Sequence, residues 1–127
     1  MKAYENLVST GCVGSFKRDS ILDASSDAKF LSDIRGAFMD AGDEARLVAT
    51  ECAVMLIEDL VSKGFCNLAA WSSEGTGHLI LDLGSDEIAR AIDWEQDPGS
   101  QPFGYFLVTT ELGDDWVKRY DTLVAEL

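Results

Sequence analysis

Basic side chains are scarce in this chain: ten Lys and Arg stand against 23 Asp and Glu. That balance opposes nucleic acid, because a protein that grips phosphate needs cations to displace the condensed counterions. An anionic membrane surface is opposed for the same reason. The three cysteines, Cys12, Cys52 and Cys66, are odd in number and far apart, and none forms a CxxC pair. A disulfide framework needs an even count, and a zinc site needs closer ligands together with histidines. The only histidine is His78. No apolar run nears the roughly 18 residues of a membrane span. Lys2 is followed at once by Glu5, and Leu7-Val8 is too short for the apolar stretch of a secretory signal. A cytoplasmic protein without metal or cofactor is the expectation.

With only two prolines and no Gly- or Ser-rich linker, nothing divides the 127 residues. The reading is a single domain over 1–127, with a weakly patterned segment at 1–25 and a helical core over 26–127. A chain of this size buries roughly two-thirds of its unfolded surface. Hydrophobic residues, at 46%, supply one ordinary core without disulfides. The acid is uneven. Residues 1–63 hold seven basic and eleven acidic side chains, whereas 64–127 hold three and twelve.

In 1–25, Gly11, Gly14 and Lys17-Arg18-Asp19-Ser20 interrupt any period, and Glu5-Asn6-Leu7-Val8 fits a short helix or strand. Ser25-Ser26-Asp27 offers N-caps for a helix near 27–40 whose stripe is Phe30, Leu31, Ile34 and Phe38. Asp43 is expected to cap a helix over 43–63. Its apolar residues, Leu47, Val48, Cys52, Met55, Leu56, Ile57, Leu60 and Val61, cover an arc wide enough for a core helix. Gly64 then suits the left-handed position that ends it. Strands are expected over 65–71 and 78–83, joined by the turn Gly75-Thr76-Gly77. Ser85-Asp86-Glu87 opens a third helix with two acids at its positive end and a stripe of Ile88, Ala91 and Ile92. Phe103 to Thr110 is strand-like. Gly113-Asp114-Asp115 starts a final helix that turns Trp116, Val117, Tyr120, Leu123 and Val124 inward.

This order predicts an α+β, mainly helical fold: about four helices with a small antiparallel sheet. Leu60-Val61-Ser62-Lys63-Gly64-Phe65, Leu83 to Ile92, and Gly104 to Gly113 with its Thr-x-x-Gly resemble a winged-helix-like pattern over roughly 45–120. The resemblance extends to small acidic bacterial immunity proteins, including those of contact-dependent growth inhibition systems. It implies a non-enzymatic inhibitor that binds a basic toxin domain, a nuclease by preference, in the cytosol and occludes its active site. The alternative is a winged-helix-like transcriptional regulator or protein-binding adaptor. Against direct DNA binding, the segment equivalent to a recognition helix, Ser85 to Glu95, carries Asp86, Glu87, Asp93 and Glu95 against Arg90.

Few constellations suggest chemistry. Asp114-Asp115 with Glu111 could hold a cation or serve as acid and base, but capping the last helix suits adjacent residues better. Gly75-Thr76-Gly77 lacks the context of a phosphate loop, and His78 has no nucleophile elbow near it. Trp94 stands between Asp93 and Glu95, where an aromatic among carboxylates has the composition of a binding hot spot; the other reading folds it over the core. The expected partner-binding residues are therefore Asp86, Glu87, Asp93, Trp94, Glu95 and Asp97.

The charge yields a first prediction. At physiological salt the protein binds neither DNA nor RNA, and a mobility shift at micromolar protein with any duplex would refute it.

Overall fold

The computed structural model describes residues 1–71, 77–82, 84–91 and 105–123. Two helices open the chain, α1 (Lys2–Ser9) and α2 (Cys12–Ser26). A two-residue strand β1 (Lys29–Phe30) leads into α3 (Leu31–Met39), α4 (Asp43–Leu47) and α5 (Ala49–Ser62). The hairpin strands β2 (Cys66–Trp71) and β3 (His78–Leu81) follow, then α6 (Ser85–Ala91), β4 (Tyr105–Thr109) and α7 (Glu111–Leu123). The fold is α+β and mainly helical, with an antiparallel sheet ordered β1-β4-β2-β3.

Seven helices occur among the described residues where about four were expected, and each difference has a local cause. The stripe of α2 is Val13, Lys17, Ser20, Ile21 and Ala24, all buried. Two of these five are polar, so the helical period is invisible to a hydrophobicity reading. Gly11, at φ +85°, makes the turn between α1 and α2, while Gly14 sits inside α2 without breaking it. Ser25, Ser26 and Asp27 end α2 and do not cap the next helix. Phe30 is a strand residue paired with Phe106, although Leu31, Ile34 and Phe38 form the buried face of α3 as expected. The helix expected over 43–63 is two helices, broken where Val48 takes φ −126°. Gly42 precedes α4, so Asp43 lies in its first turn and is not its cap.

The core helix is α5: Cys52, Ala53, Leu56, Ile57 and Leu60 have no exposed surface. It ends in a Schellman motif. The Phe65 amide donates to the Leu60 carbonyl (3.0 Å) and the Gly64 amide to that of Val61 (3.1 Å), with Gly64 at φ +83°. Two residue rows cross the sheet. Leu107, Leu68 and Leu81 face the helices, α2 packing on β4 and α5 on β2. Phe30, Phe106, Ala69 and Ile80 share the opposite face.

Two side-chain junctions join these layers. Lys17, buried on α2, pairs through Nζ with Asp59 Oδ2 on α5 at 3.1 Å. The Tyr4 hydroxyl on α1 donates to the same oxygen at 2.9 Å. At the other end, Thr110 caps α7: its hydroxyl accepts from the Gly113 amide (3.1 Å) and donates to the Gly64 carbonyl. The Thr110 amide donates to the Phe65 carbonyl at 3.1 Å. The helix thus begins at 111, two residues before the expected start, and Asp114 lies within it. Its Oδ1 accepts from Thr109 (2.6 Å) and Ser25 (3.3 Å), which replaces the capping role expected of it. Trp116 is buried as expected, whereas Val124 lies outside the described residues.

Gly113 is the tightest point of that junction, since a Cβ there would collide with the Phe65 carbonyl oxygen. Gly113→Ala is expected to cost about 3 kcal/mol, the upper end of ordinary overpacking. Gly36→Ala, on a helical site with open space, should stabilise by up to about 1 kcal/mol. Urea melts of the two variants check the contrast.

Candidate functional site

The last turns of α5 form one wall of a cleft of about 360 Å³. Glu58, Val61 and Ser62 recur at the spacing that places them on one helix face. Val61, expected to lie inside, is 38% exposed there. Leu68 and Leu81 come from the helix-facing row of the sheet, Asp82 follows β3, and Ile88 comes from α6, which packs on α5. Val61, Leu68, Leu81 and Ile88 give it an apolar part, and the charged residues among those that line it are all acidic: Glu58, Asp59 and Asp82.

Asp59 belongs both to this wall and to the Lys17–Tyr4 junction behind it. Burial and the neighbouring Asp59 carboxylate, which accepts its hydroxyl proton, push the ionisation of Tyr4 well above the ordinary tyrosine range. The phenol therefore stays protonated and keeps donating. One face of the Asp59 carboxylate is thus taken by the fold while the residue still borders the cleft.

Beyond the cleft, β3 is unusual for an edge strand. An antiparallel strand with one wet face alternates apolar and polar residues. His78, Leu79 and Ile80 are all exposed, with Leu79 at 56% and Ile80 at 55%. They point to opposite faces: Leu79 shares the helix side with Leu81, and Ile80 lies with Phe106 and His78 on the other. The His78 ring meets Phe106 edge-on at 5.9 Å.

Of the expected binding residues, Asp86 and Glu87 are exposed in the first turn of α6, on the helix that supplies Ile88 to the cleft. Asp93, Trp94, Glu95 and Asp97 lie outside the described residues. The sequence reading missed Glu58, Asp59, Val61, Leu79, Ile80 and Asp82. For β3 the signal was present, since Leu79-Ile80-Leu81 is an apolar run without alternation, ended by Asp82.

Reactive chemistry finds little support in the cysteines. Cys66 is buried, and burial first, then the Asp114 carboxylate, pushes its thiol up to about 12. Cys52 is also raised, by burial and then by Glu51, and Cys12 is half-buried. Among the described residues no group of three or more His, Cys, Asp or Glu is placed to hold a metal ion, and no helix is long and apolar enough to cross a membrane. No protein-family model matches the chain, and neither a curated protein nor a solved structure matches it.

The shared role of Asp59 generates a stability prediction. Asp59→Ala strands the buried Lys17 ammonium and the Tyr4 hydroxyl, and should cost about 3 kcal/mol. Lys17→Met removes the buried cation and leaves a carboxylate that still touches water, so its cost should stay below about 1 kcal/mol. Chemical denaturation of both variants reads the difference; equal losses would show that the pair is not what joins α2 to α5.

Proposed function

We propose that the chain acts by binding a basic protein, as an immunity-type inhibitor that covers the active site of a cognate toxin in the cytosol. The cleft beside β3, part apolar and part acidic, carries this reading. Apolar lining supplies the area that a buried anchor needs, and Glu58 and Asp82 at its walls favour a Lys or Arg whose stem lies along Val61, Leu81 and Ile88. Asp86 and Glu87 extend the acid onto α6.

A nuclease is the favoured target. Its cleft is built to hold phosphates, and a chain with 23 acids and ten bases offers a surface of the same sign as that substrate. Such an inhibitor needs no catalytic group or cofactor of its own. Contact-dependent growth inhibition is a setting in which such a pair works, the inhibitor protecting the cell that makes it.

The test begins with the gene beside that of this chain. Its product should be basic, should arrest growth when expressed alone, and should be harmless when this chain is co-expressed. Asp82→Lys combined with Glu87→Lys should slow association about ten-fold at low salt and flatten its salt dependence, as rim charges act mainly on encounter. A neighbour without toxicity would overturn the reading; unchanged kinetics in the folded double variant would remove this surface from it.

A further inference from the structure

The exposed apolar strand asks for an occupant. In the sheet order β1-β4-β2-β3, β3 is the outer strand, and no described strand pairs with its far side. Alternate amides and carbonyls of an antiparallel strand point away from its partner, so among the described residues the outer ladder of β3 meets no partner strand. Natural edge strands are usually blunted by lysine, proline or a bulge. His78-Leu79-Ile80-Leu81 is short, at four residues, but has none of these. Its two most exposed side chains, Leu79 and Ile80, lie on opposite faces, so an added strand would find apolar surface on both sides of the sheet.

We propose that an extended, basic segment of the partner adds to β3 as a fifth strand, with alternate side chains reaching over Leu79 and Leu81 into the cleft. This rests on the reading that the partner is a basic protein, and it specifies the mode of binding. Charge selects the occupant. The cleft beside β3 has Glu58, Asp59 and Asp82 as its charged lining, and Asp86 and Glu87 follow on α6. A second copy of this chain would bring a formal −13 against −13, whereas a lysine-bearing strand brings the complementary sign. Main-chain bonds to β3 hold the segment. The apolar positions at Leu79 and Ile80 fix its register, and the acids choose its charge.

The probe is a blocked peptide of about ten residues that alternates lysine and valine, roughly the length of one long strand. Added to the full chain, it should slow hydrogen exchange at the β3 amides, and the same peptide with glutamate for lysine should not. Leu79→Lys with Ile80→Lys changes side chains that are more than half exposed, so the variant should fold. It should bind the lysine peptide about ten-fold more weakly or worse. Equal binding of the lysine and glutamate peptides, or no loss in the double variant, overturns the proposal. Dimers of the free chain that disappear in the double variant would make a second copy the occupant and overturn it too. If the double variant still binds the toxin at full strength, strand addition falls while the inhibitor reading stands. If β3 takes the lysine peptide but no neighbouring toxin exists, the reverse holds.

Discussion

A buried ammonium is the constraint around which the helical half is arranged. Lys17 has almost no contact with water, and an unpaired charge in that position would cost several kcal/mol. Its partner must therefore be a carboxylate held in place, and Asp59 meets that demand from the last turn of the core helix at 3.1 Å. Tyr4 then adds α1 to the same oxygen. Three helices that are separate in sequence are thereby fixed about one side chain, and the apolar residues of α2 and α5 pack around the arrangement. Hydrophobic packing supplies the bulk of the stability, but any hydrophobic face is satisfied by many partners. A lone cation is satisfied by few, so the ion pair selects which packing is used.

The same residue explains part of what the sequence leaves unread. An interior lysine, with Ser20 beside it on the same stripe, looks like a surface position, and so the whole of α2 is hidden in a segment that reads as patternless. Where the stripe is purely apolar, as in α5, the helix and its glycine stop are plain from sequence. The hairpin strands, the short acidic helix and β4 are legible for a related reason: short apolar runs bounded by turn or polar residues, and a capped stripe such as that of α6, are local signals. Side-chain junctions across long separations are not local. Thr110 reaches Gly64, and Asp114 gathers Ser25 and Thr109. Nothing in the neighbourhood of Asp114 says that its carboxylate is used inside the helix and is not its cap.

For the candidate site the limit is similar. Acidic side chains on α6 stand out because they crowd together in sequence, and Asp86 and Glu87 sit on the helix that supplies Ile88 to the cleft. Glu58 and Asp59 are indistinguishable in sequence from any acidic stretch on the wet side of a helix. Only the fold places them opposite Asp82, and only the register of the sheet shows that Leu79 and Ile80 are left at its edge. A surface that combines apolar area with carboxylates of one sign is suited to recognition, because area gives strength while charge rejects most partners.

The order of the sheet has a consequence for how the molecule is made. One of its two inner strands, β4 (residues 105–109), is the last of the four in chain order, yet it separates β1 from β2. During synthesis the first five helices can collapse on one another through contacts made within residues 1–62. The sheet cannot, because β1 has nothing to pair with and β2 has only β3 beside it. A two-stranded ribbon is marginal on its own. Closure therefore waits for β4, which slots between the earlier strands, and α7 follows it. Long-range pairing of this kind is slow to form, and β2 keeps an open edge until β4 takes it.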